Sequence, residues 1–258
     1  MLAKSALRLG VAVVACAGMA QLAGAETLLE HSAEVRIQID LVVTPAVLKA
    51  LLPDGWEPFV ATSGPAKDCN VRMIFIDRVD ITKPDGSPAG TNQMVYLASP
   101  IKKSGANEMA GQMMIDGITA DPKDAPGPFG VYKAATSFRA ERSTHIVSGQ
   151  PVLSEENWQF TAADGEQMEL RLTYERGVAR KGGSEVKFFS ADDPSVYQTF
   201  KIEQGLDIMR NATVQVKDRV KEFTLKASGG KVGKLFDGSE RVVSVDVLHW
   251  YNRSVFAP

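Results

Sequence analysis

The stretch Met94-Val-Tyr-Leu97-Ala-Ser-Pro100-Ile-Lys-Lys-Ser-Gly105-Ala-Asn-Glu108-Met-Ala-Gly111-Gln-Met-Met-Ile115 decides how this chain is read. An apolar run ends at Ala98, a loop carrying Pro100 and Gly105 follows, and Glu108 stands midway between Gly105 and Gly111. A run of that kind, closed by proline and glycine, predicts a strand that leaves a buried sheet for a turn. Gly105 and Gly111 would allow backbone conformations that other residues resist. Glu108 is then either an acceptor for backbone N–H groups near the turn or an acid facing a ligand.

Outward from this stretch the chain alternates rather than following a helical period. Val35, Ile37, Ile39, Leu41 and Val43 fall on one face of a predicted strand over 34–43. Thr44-Pro45 predicts a helix start, with threonine as the cap, and Pro53-Asp54-Gly55 predicts its end. Further strands are predicted over 71–81, 93–98, 135–141, 145–152, 157–162, 167–174, 186–189, 197–203, 207–216, 222–226 and 241–256. Turns such as Pro84-Asp85-Gly86, Asp164-Gly165 and Asp237-Gly238 separate them. Many short strands with regular turn signals predict a barrel or a sandwich. The segment 117–129, with Pro122, Pro126 and Pro128, reads as a surface loop or a flap beside a cavity.

The first 25 residues read as a signal peptide. Lys4 and Arg8 precede an apolar stretch from Leu9 to Ala20, and Ala23-Gly24-Ala25 supplies small residues for cleavage. The alternative is a lipobox, Val13-Val14-Ala15-Cys16, with Cys16 acylated and the protein held on a membrane. Cleavage after Ala25 is favoured, because the earlier site leaves a thin apolar core. It removes two basic and no acidic residues, taking the formal charge from −2 to −4. That acidity argues against a nucleic-acid partner, which calls for a basic stripe. Cys69 is then the one remaining thiol, expected as a small buried apolar residue. No linker-like tract divides residues 26–258, so a single domain is expected, periplasmic or secreted.

Little else suggests chemistry. The three histidines, His31, His145 and His249, lack metal-ligand spacing. No nucleophile elbow, P-loop or dinucleotide glycine pattern occurs, so neither a metal nor a cofactor is expected. Arg72, Arg78 and Asp80 share a strand face with Ile74 and Ile76. Turned outward they would form a solvated face. Turned into a barrel, an arginine such as Arg78 would hold a substrate carboxylate by paired hydrogen bonds.

Three regions carry a resemblance. Leu41 to Pro58, the stretch from Met94 to Ile115, and Val242 to Tyr251 are similar to the entry, core motif and last long strand of the acetoacetate decarboxylase family. The resemblance implies a mainly β (α+β) fold: a closed, cone-shaped antiparallel β-barrel with a few short helices and a buried cavity. It also implies chemistry on a small keto acid or related carbonyl compound, through an unprotonated lysine that forms an imine. Gly105, Glu108 and Gly111 match the motif, but Met114 and Ile115 stand where the lysine pair would be. A second alignment, on Phe129-Gly130-Val-Tyr-Lys133-Ala134, would make Lys133 the nucleophile and Glu108 an acid, base or orienting group. Gly111, Met113 and Met114 would line the cavity. The alternatives are a periplasmic binding protein that keeps the barrel without the lysine, and an envelope lipoprotein anchored through Cys16. A homo-oligomer is compatible with each.

Overall fold

The computed structural model describes residues 26–258; the expected signal peptide and the Cys16 alternative lie outside them. Strand β1 covers Thr27–Val42, helix α1 Pro45–Leu51 and the short strand β2 Trp56–Pro58. Then come β3 (Val71–Thr82), β4 (Pro88–Lys103), β5 (Gly111–Thr119) and a single 3-10 turn at Pro122–Asp124. Four strands follow: β6 (Tyr132–His145), β7 (Leu153–Ala162), β8 (Gln167–Glu175) and β9 (Arg180–Ser190). The chain ends with β10 (Tyr197–Asn211), β11 (Val220–Ser228), the one-turn helix α2 (Val232–Leu235) and β12 (Arg241–Ala257).

Strand pairing closes on itself. β4 bonds β5, and from there the order runs β9, β10, β12, β1 and β3 back to β4, a ring of seven strands. The remaining long strands, in the order β6, β7, β8 and β11, form a second sheet joined to the ring at β5. The fold is mainly β and barrel-like, as the resemblance implies. It is not wholly antiparallel, because β5 runs parallel to both β6 and β9.

Each barrel strand has two faces; both are covered along most of the ring, while the first half of β9 is exposed. Ile37, Ile39 and Leu41 of β1 look outward with Met73, Phe75, Leu97, Val245 and Val247, against Trp158, Phe160, Leu170 and Leu172 of the second sheet. The opposite face lines the barrel, where Ile74, Ile76, Met94, Tyr96, Met114, Phe188, Phe200 and Leu248 meet. The apolar face of β1 therefore packs outside the ring, and its polar face, Glu34, Arg36, Gln38 and Asp40, turns inward.

Several expectations are corrected. β5 is absent from the predicted strands, because Gly111 and Gly117 interrupt its apolar run. The predicted strand over 145–152 is instead the β6–β7 turn, built on Ser148-Gly149-Gln150-Pro151. The predicted 197–203 and 207–216 strands join as β10, which ends at Asn211. Thr44 caps α1 by position only, since its side chain makes no capping bond and meets Ser239 instead. The proline segment before β6 is no plain surface loop. Phe129 and Val131 are buried in the barrel-side core, and the Asp124 carbonyl accepts from Arg78.

Candidate functional site

A closed ring creates an interior, and its character follows from which residues the pleat turns inward. A cavity of about 260 Å³ lies there, with wall residues from every strand of the ring: β1, β3, β4, β5, β9, β10 and β12. Pro65 and Ala66, in the loop before β3, border it. That loop is tied down by Asn211 and Thr213, which donate to the Pro65 carbonyl at 2.9 and 3.2 Å. Larger hollows of about 520 and 530 Å³ are more open: one lies at the end of the barrel beside Ser32 and Arg253, the other on the second sheet. Position inside the ring, not size, makes the barrel cavity the candidate site.

Arg36, on the cavity wall, belongs to a buried arginine cluster that continues along the barrel interior. Arg36 donates through Nε to Glu34 Oε2 at 2.6 Å and through Nη1 to Tyr96 Oη at 3.3 Å, and its guanidinium lies 3.6 Å from the centre of the Tyr251 ring. Arg253 reaches Glu34 Oε1 at 2.8 Å, and Arg78 sits 3.7 Å from the same oxygen. Burial works against ionising Glu34, but Arg253, Arg36 and Arg78 hold its carboxyl down at about 2. Donors remain over: Arg253 Nε and Nη1 and the Tyr132 hydroxyl are buried without partners.

The cavity wall also carries a carboxyl pair. β1 and β12 pair with Gln38 opposite Asp246 and Asp40 opposite Ser244, so the two aspartates are diagonal neighbours on the inward face. Asp40 accepts from Gln38 Nε2 at 2.9 Å and faces Arg72 Nε at 3.3 Å. Asp246 accepts from Ser244 Oγ at 2.6 Å and has no cation in contact among the described residues. Burial first, and then the neighbouring Asp40, push the Asp246 carboxyl up to about 8. Burial raises the Asp40 carboxyl as well, against Arg72 and Gln38, so Asp246 is the more readily protonated of the two.

The residues predicted from the sequence are dispersed. Glu108 is on the exposed β4–β5 loop, at the Gly111 end of β5, while Lys133 lies beside Ile118 at the other end. The fold does not bring them together. Lys133 points away from the cavity, its ammonium held by Asp116, Asp164 and Glu166 at 3.2, 3.1 and 3.0 Å. Burial opposes its charge, but these carboxylates raise its pKa, the reverse of what an attacking amine needs. Met114 faces the barrel interior, whereas Met113 packs in the outer core. Gly111 is needed for contact between strands, since a Cβ there would strike the Lys187 carbonyl of β9. Arg78 is fully buried rather than solvated, while Asp80 is exposed.

Comparison with solved structures places this architecture. An acetoacetate decarboxylase-like enzyme from Sphingomonas wittichii RW1 superposes with a TM-score of 0.53 at 13% identity, over 89% of this chain and 91% of that one. The fold is that of the acetoacetate decarboxylase-like proteins. Acetoacetate decarboxylase from Legionella pneumophila gives 0.50 at 13% identity, over 90% and 88% of the two chains. The enduracididine biosynthesis enzyme MppR, complexed with the condensation product of pyruvate and imidazole 4-carboxaldehyde, gives 0.52 at 13% identity, over 89% and 87%. No family model and no curated protein matches. Within this acetoacetate decarboxylase-like fold, no lysine is among the residues lining the cavity.

Sequence reasoning missed Arg36, Gln38, Asp40, Gln112, Tyr96, Asp246 and Tyr251 as wall residues. A signal was present: Glu34, Arg36, Gln38 and Asp40 alternate strictly with Val35, Ile37, Ile39 and Leu41. The same alternation describes a strand with one face in water, so it names the polar face without saying that a barrel encloses it.

Proposed function

We propose that the protein is exported and binds a small 2-oxo acid or related carbonyl carboxylate in the barrel cavity, without forming an imine. The observation that carries this reading is the balance of charge on the inward face. Arg36, Arg72, Arg78 and Arg253 oppose Glu30, Glu34 and Asp40, and burial holds the fourth carboxyl, Asp246, toward its neutral form, so the face leans positive. A buried excess charge calls for an anion. Arg72 is the available fork: its Nε faces Asp40 at 3.3 Å, it lines the cavity, and its side chain is one-quarter exposed. A planar guanidinium suits a carboxylate by paired hydrogen bonds. The Gln112 carbonyl oxygen, buried and unpartnered on the same wall, is free to accept from a ligand hydroxyl.

Two further points support the reading. MppR, which shares the fold, carries a pyruvate-derived compound. The basic, apolar and small-residue segments of residues 1–25 support export. The test is titration calorimetry with pyruvate and its longer 2-oxo homologues. Arg72→Met is expected to weaken binding by about tenfold or more, the equivalent of a lost charged hydrogen-bond pair. Borohydride added with the ligand is expected to leave the protein mass unchanged. A covalent adduct on any lysine, or an Arg72→Met variant that binds as well as the native protein, would overturn the proposal.

A further inference from the structure

We propose that Asp246 and Asp40 are the acid and base of the cavity, and that together they interconvert the keto and enol forms of the bound 2-oxo acid. This rests on the binding reading above and adds a reaction to it. The two carboxyls share the inward face of the β1–β12 pair, diagonally adjacent, and both border the cavity. Their surroundings divide the roles. Burial raises the Asp40 carboxyl too, but Gln38 Nε2 and Arg72 Nε address it and work the other way, favouring its carboxylate form over that of Asp246, which has no cation in contact among the described residues. Ser244 Oγ supplies the one hydrogen bond to Asp246 Oδ1. The charged groups whose fields reach Asp246 are Asp40 on β1, Arg72 on β3 and, from the other face of the wall, Asp207 on β10.

Two carboxyls in different environments are a recurrent means of holding acid and base in one site. With the ligand carboxylate on Arg72, its carbonyl lies within the same wall patch as the pair. Asp246 donates its proton to the carbonyl oxygen as Asp40 removes one from the adjacent carbon. The C–H pair becomes the carbon–carbon double bond, and the carbonyl π pair becomes the O–H bond. Asp40 ends protonated and Asp246 ionised, with no oxidant or co-reactant required. Proton return restores the ketone, and exchange of the carboxyl proton with water labels the carbon.

The experiment is proton NMR of pyruvate in D₂O with the full chain, following loss of the methyl signal, alongside calorimetric binding of pyruvate to the native protein. Native protein is expected to exchange the methyl protons well above the buffer rate. Asp246→Asn and Asp40→Asn are each expected to slow exchange by about 100-fold or more. Asp80→Asn, on the exposed outer face, is expected to exchange as the native protein does. Circular dichroism verifies that each variant is folded, and the two aspartate variants test the pair independently. Native exchange that fades above pH 8 supports the assignment. Pyruvate bound without exchange overturns this inference alone. Exchange unaffected in folded Asp246→Asn also overturns it. Failure of pyruvate to bind overturns the binding reading and this inference together.

Discussion

At the scale of single residues, Asp246 links the site to stability. Its carboxyl is protonated in the folded barrel up to about pH 8, whereas in the unfolded chain it ionises near 3.8. Between those values the folded state holds a proton that the unfolded state has lost, so stability declines as pH rises across the window. Asp246→Asn, which keeps the shape and removes the titration, is expected to flatten that decline. The variant should be more stable than the native protein at pH 7 by an amount on the order of a few kcal/mol. Urea unfolding at a series of pH values measures it, and a pH dependence unchanged by the substitution would contradict the assignment. The sequence shows Asp246 only as a polar position in an apolar strand, Val242-Val-Ser-Val-Asp246-Val-Leu. Its unusual proton affinity comes first from burial in the closed ring and then from Asp40, on a strand just over two hundred residues earlier.

At the scale of the element, β5 explains why the motif around Glu108 does not build the site expected of it. Leu97 pairs with Asp116 but Ala98 with Met114, a bulge that places Ile115 and Asp116 on the same outer face. Gln112 and Met114 therefore face inward before the bulge, and Gly117 faces inward after it. Asp116 is turned outward to meet Lys133. Gly117 is matched to Tyr132 across the parallel β5–β6 step. A Cβ at position 117 would lie 2.8 Å from the Tyr132 ring and 3.0 Å from the Val95 carbonyl. Gly117→Ala is expected to cost about 1–3 kcal/mol through this overpacking. Combining it with Tyr132→Ala should cost less than the sum of the two changes, because the ring is the nearer obstacle. Thermal unfolding of the four proteins in this cycle decides it, and strict additivity would mean that the ring and the glycine do not interact.

At the scale of the whole molecule, the second sheet gives the barrel its outer core. Trp158 of β7 is buried between the layers, 6.1 Å from the Phe75 ring and 6.4 Å from Phe160 by centroid, and donates Nε1 to Glu156 at 3.1 Å. Trp158→Ala is expected to lower stability by about 3–5 kcal/mol, the range for emptying a large aromatic site. Denaturant unfolding measures it, and a loss below about 1 kcal/mol would show that the layers do not depend on this contact. With both faces of the wall covered along most of the ring, its inward polar residues pair among themselves or wait for a ligand.

The sequence by itself determined the strand-rich class, most of the strands and turns other than β5, and the short helix after Thr44-Pro45, since local alternation and turn residues need no distant partner. Only the tertiary structure decided which face of each strand became the lumen. A period of two gives two faces and no label for inside, so Glu34, Arg36, Gln38 and Asp40 read as solvated until β4 meets β5 and the ring closes. Closure also set the fate of the two candidates in the motif region, leaving Glu108 in water and Lys133 among carboxylates, because position around a barrel depends on pairing between strands far apart in sequence.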